Sequence, residues 1–270
     1  MKNTQNPERL INLTRYPIHD LASLETQAFV ATCRQNYIQT GLCLLPEFIE
    51  PGVMEALVSE ATEASKHAYF CKSTHNAYLT EDDPTLPANS INRKQENTFV
   101  GSVPYDRIAP TSLLNSIYQW DPLREFIASV LGKSLLHRFA DPLGACSINV
   151  FVDGGEHGWH FDESEFTITL MLQPPTQGGN FEYVPLVRHH PDEKEILNEV
   201  LNGSQQDVAS LPFSPGTLLI FGGNQTLHRV TKVHGPRPRL VPVLCYSEKP
   251  NQQNSESVRR LFWGRSQPDV

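Results

Sequence analysis

His160-Phe161-Asp162, a later His228 and, beyond it, Arg239 are residue types suited to metal-centred oxidation. Two imidazoles and one carboxylate can occupy one face of an octahedral ion and leave three positions open. That arrangement suits non-haem Fe(II) and its activation of O2. Side chains alternate along an extended segment, so His160 and Asp162 reach one ion while Phe161 turns into packing. H-x-D/E is weak by itself: with 10 His and 30 acidic residues in 270 positions, about one match arises by chance. Context strengthens it. The pair follows a strand and the Gly154-Gly155 turn, and His228 lies on a later strand after the apolar run Leu218 to Phe221. Alone, His228 reads as a surface or core-satisfied histidine; with the carboxylate pair and Arg239 it reads as the second imidazole ligand.

Arg239 opens the last long strand and shares a side with Val241, Val243 and Cys245. A cation on an otherwise apolar strand face is costly unless an anion pairs with it. A guanidinium grips a carboxylate through two parallel hydrogen bonds, so an acidic cosubstrate would supply that anion. Arg237 has the same parity but lies in the Pro236/Pro238 turn, which leaves Arg239 the preferred clamp. Asn149 and Thr169 are polar residues on strands with apolar opposite faces, and they are expected to line the cosubstrate pocket.

These groups need a rigid frame. From Ala145 onward the chain reads as short strands: Cys146, Ile148, Val150 and Val152 alternate with Ser147, Asn149 and Phe151. Further runs follow at 166–172, 180–187, 217–221, 226–230 and 239–247, with a short inserted helix at 191–201. Roughly seven or eight strands predict a jelly-roll or barrel. The first half reads mainly helical. Asp20 is the expected cap of a helix ending at Gly41, Leu42 to Leu45 could enter a sheet, and Pro51 starts a second helix with Met54, Leu57, Val58 and Ala61 on one stripe. A third starts after Pro110, restarts at Asp121-Pro122 and stops at Gly132. Thr80 to Pro110 reads as a long loop. Its Arg93-Lys94 doublet is either solvated charge or a lid cation over a pocket. The expected fold is mainly β with flanking helices (α+β), in one domain spanning 1–270. Residues 1–144 form a helical layer and lid, 145–250 the β core, and 251–270 a tail.

Composition excludes some partners. A hydrophobic fraction of 39% supports a buried core, and the formal net charge of -8 argues against nucleic acid and anionic membranes. It suits a cationic small substrate. The 5 cysteines are scattered without a C-x-x-C pair, which reads as buried free thiols in a reducing compartment. No apolar run suggests a signal core or a membrane span, so the expectation is cytoplasmic. Oligomeric state is not legible.

His157-Gly158-Trp159-His160-Phe161-Asp162, Gly178 to Val184, Leu218 to Phe221, Leu227 to Thr231 and the opening Pro7 to Pro17 resemble the Fe(II)/2-oxoglutarate oxygenases. Among these, the chain is most similar to the free-amino-acid (lysine-type) radical halogenases and their hydroxylase relatives. The resemblance implies a double-stranded β-helix (jelly-roll, cupin-like) core. It implies Fe(II) on His160, Asp162 and His228, with 2-oxoglutarate held by Arg239. O2 would drive decarboxylation of the cosubstrate to succinate and CO2, coupled to oxidation of an unactivated C–H bond. The halogenases carry a glycine where this chain has Asp162, leaving room for chloride. A carboxylate there fills the position and repels a halide, so the expected reaction is hydroxylation.

The expected substrate is a free, cationic amino acid of the lysine or ornithine type. Glu163 would receive its ammonium and His157 its carboxylate, although each could equally be a solvated turn residue. Trp263 either closes the pocket or docks the carboxy-terminal tail. Asp141 is a candidate for a distal amine. Two rival readings stay open: the same chemistry on another small metabolite or a carrier-bound amino acid, and a catalytically silent metal- or ligand-binding β-helix protein.

Overall fold

In the computed structural model, which describes residues 6–211 and 213–269, helix α1 (Leu24–Thr40) ends where Gly41 adopts a left-handed φ of 72°. Its cap is Ser23, whose hydroxyl accepts from the Thr26 amide, and not Asp20, which accepts from Ala22 in the preceding turn. Leu24 is 85% exposed, while Thr26 and Cys33 are buried and Phe29, Val30 and Tyr37 pack against the core. Helix α2 (Met54–Ser65) follows a single 3-10 turn that Pro51 opens, and it buries Leu57 and Ala61. Helix α3 (Leu113–Tyr118) is capped by Ser112. Helix α4 (Asp121–Leu131) ends at left-handed Gly132. Its buried Leu123, Phe126, Ile127 and Val130 contribute about 1.5–3 kcal/mol each.

Among the described residues, 11 strands join one sheet. They are β1 (Leu42–Leu45), β2 (Tyr69–His75), β3 (Glu96–Val103), β4 (Cys146–Phe151), β5 (Glu156–His160) and β6 (Thr167–Leu170). Then come β7 (Phe181–Val184), β8 (Ala209–Ser210), β9 (Leu218–Phe221), β10 (Leu227–Val230) and β11 (Arg239–Leu244). The order is β1-β9-β6-β11-β4-β3-β5-β10-β7-β8, with β2 also on β3. The sheet curls on itself as a double-stranded β-helix. Strand β3 makes the crossing, pairing with β4 through Gly101, Ser102 and Val103 and with β5 through Thr98 and Phe99.

Strand alternation sorts the side chains. Leu42, Val100, Phe151, Phe181, Leu219, Phe221 and Val230 meet between the layers. The opposite faces of β4, β9 and β11 carry Ile148, Val150, Leu218, Ile220, Leu240 and Leu244 against helices α1 to α4. On the other layer, Trp159, Phe161, Val184 and Leu227 are covered by Leu197 and Val200 of helix α5 (Glu193–Leu201). Helix α6 (Glu256–Trp263) lies against β2 and β3.

Two sequence expectations need correction. The part before residue 145 is not only a helical layer, because it supplies β1, β2 and β3 to the sheet. The stretch 80–110 is not all loop, since its second half holds β3, between the two layers. Cys33, Cys43, Cys71 and Cys146 are buried and Cys245 is half-buried, all as free thiols. Among the described residues no helix is long and apolar enough to cross a membrane.

Candidate metal centre

Strands β5 and β10 pair with His160 directly opposite His228. Asp162 lies just past the end of β5, where its amide donates to Gly223 O and the Phe161 amide donates to Ala77 O. Phe161 turns outward, stacked on Tyr78 at 5.6 Å. The metal-binding atoms of His160, Asp162 and His228 all lie within 4.8 Å of one another. Asp162 Oδ1 is 3.4 Å from His160 Nε2 and 3.5 Å from His228 Nε2.

The tautomers are fixed by the backbone. Nδ1 of His160 is 2.7 Å from Gly158 O, and Nδ1 of His228 is 2.8 Å from Thr226 O. A carbonyl only accepts, so each Nδ1 carries a proton, and in the neutral ring it is Nε2 that presents the lone pair. Burial, then the neighbouring His228, pushes His160 down to about 4, so it is neutral at pH 7. For Asp162 burial opposes ionisation. The positive charge His228 carries when protonated comes first, then hydrogen bonds from both imidazoles in that state, and together they outweigh it and hold the carboxyl well below the usual range. Two imidazole lone pairs and a carboxylate therefore face one another. The cluster calls for positive charge among these atoms, supplied by a proton or a metal, and the donor set is the facial triad of non-haem iron. Metal and residues fit.

Three features that sequence reading missed hold this triad. Thr167 Oγ1 donates to Asp162 Oδ2 at 2.6 Å. A Cβ on Gly223 would stand 2.2 Å from that same Oδ2, so only glycine leaves the carboxylate its place. The third is a bulge. Val230 pairs with His157 while His228 pairs with His160, so two residues of β5, Gly158 and Trp159, lie opposite the single Arg229 of β10. Gly158 sits in this bulge, where a Cβ would come 2.5 Å from Glu96 Cβ. The extra residue turns His157 to the same side as His160, and their rings stack at 3.8 Å. Trp159 turns outward beneath Arg229, whose guanidinium lies 4.6 Å from the ring centre. The Gly222-Gly223 and His157-Gly158 pairs were the available signals.

Arg239 is 2% exposed and begins β11 opposite Phe151. Its guanidinium lies over the Phe151 and Phe213 rings at 5.3 and 5.7 Å. No carboxylate pairs with it among the described residues, and its Nε is buried without a partner. Burial pushes it down to about 9, still charged at pH 7. A buried guanidinium without a carboxylate partner suits the binding of an anionic group. Arg237 is exposed and bonds to Pro175 O, as its turn position suggests. Asn149 shares Arg239's face through its pairing with Val241, and Thr169 through Val243. Thr169 Oγ1 is also buried without a partner.

The remaining candidates divide. Burial, then His160 and His75, holds His157 well below its ordinary value, so it is a neutral imidazole beside the triad. Glu163 is exposed on the turn after Asp162. Trp263 is buried and its Nε1 donates to Ser102 Oγ at 3.0 Å. Ser102 pairs with Asn149, so the indole both docks helix α6 and borders the inner face. Two readings are overturned. Asp141 accepts from the amides of Leu143, Gly144 and Asn254 and pairs with Arg259 at 3.2 Å, leaving no oxygen for a substrate amine. Arg93 is not a lid cation over the pocket, because Asp82 takes Nε and Nη2 at 2.8 and 2.7 Å and Leu86 O takes Nη1.

Residues 24–261 match the family model described as Halogenase D. No curated protein matches the chain. Among solved structures it is similar to the non-heme alpha ketoglutarate dependent epimerase SnoN from nogalamycin biosynthesis. That pair has a TM-score of 0.57 and 14% identity over 82% of this chain and 83% of the other. An oxidoreductase of the 2OG-Fe(II) oxygenase family from Burkholderia pseudomallei gives 0.50 and 16%, over 82% and 91%. A Trichoplax adhaerens prolyl hydroxylase, solved with a hypoxia inducible factor peptide, gives 0.53 and 12%, over 81% and 90%. At these identities the likeness is one of fold.

Proposed function

The chain belongs to the halogenase D family, and from that premise we propose that it is an Fe(II)- and 2-oxoglutarate-dependent hydroxylase of a free, cationic amino acid. One observation carries the chemistry: two imidazoles and a carboxylate converge, with an unpaired buried guanidinium on the inner face of the same barrel. Bound there, Fe(II) and 2-oxoglutarate supply O2 activation coupled to release of succinate and CO2.

The chain's own residues do the rest. Gly158 O and Thr226 O aim the two Nε2 lone pairs. Asp162, anchored by Thr167, fills the position that the family's halogenases leave to chloride. Arg239 holds the distal carboxylate of the cosubstrate, with Asn149 and Thr169 along the same wall. Phe181 and Phe221, 5.5 and 5.0 Å from the His228 ring, exclude water from one side. His157 reaches the substrate beside the triad, and Trp263 borders its aliphatic part. Glu163, exposed just after Asp162, would meet an ammonium of the substrate.

The resemblance of the His157 to Asp162 segment supports an amino-acid substrate, and the net charge of -8 favours a cationic one. The free thiols suit a reducing compartment, so we place the protein in the cytoplasm. The test is succinate formation with Fe(II), 2-oxoglutarate and a broad panel of amino acids, with products identified by mass spectrometry. Substrate-stimulated succinate with an oxygen-containing product is expected. No stimulation by any member of the panel overturns the amino-acid assignment. Failure to bind Fe(II) at all overturns the enzyme.

A further inference from the structure

His75, the last residue of β2, meets His157 edge-on at 5.3 Å and His160 at 5.7 Å between ring centres. One nitrogen from each of the three rings lies within 4.8 Å of the others, which raises the question of a second metal site. The stacking argues against one. The His157 and His160 rings are 3.8 Å apart and only 20° from parallel, so their in-plane lone pairs run side by side and do not converge. Imidazole ligands approach an ion at about 2.0–2.1 Å along those lone pairs. The cluster is built for something other than a shared ion.

Its chemistry is that of unfilled acceptors. Nδ1 of His75 is 3.0 Å from Asn76 O and so carries the ring proton, leaving the lone pair on Nε2. That Nε2 is buried with no partner among the described residues. Thr98, 4% exposed and directly opposite His157 in the β3–β5 register, also has a buried hydroxyl with no partner. His75 and Thr98 share one sheet face, since β2 and β3 pair His75 with Glu96 and Ser73 with Thr98. The hydroxyl does not reach the imidazole lone pair. No described residue supplies a donor to either, and a bound molecule can.

We infer that His75 and Thr98 form the acceptor wall of the substrate subsite, taking hydrogen bonds from an ammonium of the amino acid being oxidised. An ammonium has three donors and no acceptor, which matches a wall with lone pairs to fill. The inference rests on the function proposed above and adds two specificity-determining residues to it.

Anaerobic titration of amino acids into the Fe(II)/2-oxoglutarate-loaded protein tests this, read by the visible absorption of the chelated cosubstrate. His75→Leu is expected to bind the substrate roughly ten- to hundredfold more weakly while forming the same chelate absorption beforehand. His75→Gln, which keeps an acceptor, should recover part of the loss, and Thr98→Val should weaken binding severalfold. Acetylating either the α-amine or the side-chain amine identifies which ammonium is held, because that derivative alone should bind wild type as weakly as His75→Leu binds the parent. Equal affinity of wild type and His75→Leu overturns the inference, as does full retention of binding by both acetylated forms. A wild-type protein that gives no chelate absorption defeats the functional reading itself. One that oxidises an amino acid with no dependence on His75 defeats only the inference.

Discussion

Gly223 stands so close to Asp162 that an added Cβ would lie 2.2 Å from Oδ2 and 2.8 Å from Cγ. Gly223 O also accepts the Asp162 amide, so one residue fixes the carboxylate's backbone and reserves the space for its side chain. The carboxylate stays where both imidazoles face it because its neighbour has no side chain.

Gly223→Ala is therefore expected to displace the carboxylate and leave the fold standing. Iron affinity should fall roughly tenfold to a hundredfold, the range seen when groups that orient a ligand are changed. Metal titration followed by fluorescence checks this, with circular dichroism as the fold control. Unchanged iron affinity would show that Asp162 does not need that space.

Arg239 gives a prediction with two opposite signs. Its guanidinium is depressed to about 9 by burial, below its unfolded value, so the folded chain disfavours the charged form. The penalty is fully present at pH 7 and lifts only as pH rises through about 9. Arg239→Met should thus raise the melting temperature of the ligand-free protein near neutrality. It should also abolish stabilisation by 2-oxoglutarate. In wild type that stabilisation is about 2.7 kcal/mol at a hundredfold excess over Kd, a shift of several degrees. Scanning calorimetry with and without the cosubstrate decides it. A melting temperature that drops in the ligand-free variant would contradict the assignment of an unpaired charge.

The convergence of His160, Asp162 and His228 was legible because its signal is local: a spacing of two on a strand, a double-glycine turn and an arginine heading an apolar strand. The helices α2 and α4 were legible for the same reason, through Pro51 and Gly132. Strand β3 was not. Glu96-Asn97-Thr98 is polar and follows a stretch rich in Pro and Asn, and its partners His157 and Val150 are far along the chain. The bulge at Gly158 was invisible because it exists only relative to β10. Asp141 and Arg93 misled for a related reason. A charge looks available until its partner is known, and Arg259 lies at the far end of the sequence.

Asp141 yields a test of that correction. Its side chain is fully buried and pairs with the mostly buried Arg259 while capping three amides. Removing one member of a buried pair typically costs about 3–5 kcal/mol. Asp141→Ala should therefore lower stability to denaturant by about that amount. The KM for the amino acid should stay within about twofold in the folded fraction. A large rise in KM without loss of stability would return Asp141 to the substrate site.

Asp162 itself carries the sharpest prediction about reaction type. Thr167 Oγ1 donates to its Oδ2 at 2.6 Å, so Asp162→Gly would remove the acceptor but keep the hydroxyl. The vacated position would then have no negative charge and one free donor, both favourable to a halide. Asp162→Gly is expected to lose hydroxylation by at least about a hundredfold and, with added chloride, to give chlorinated amino acid detectable by mass spectrometry. The wild-type protein should give only the alcohol at any chloride concentration. Chlorination by wild type would mean that Asp162 leaves the metal during turnover, and the carboxylate could then no longer be what separates this chain from the halogenases.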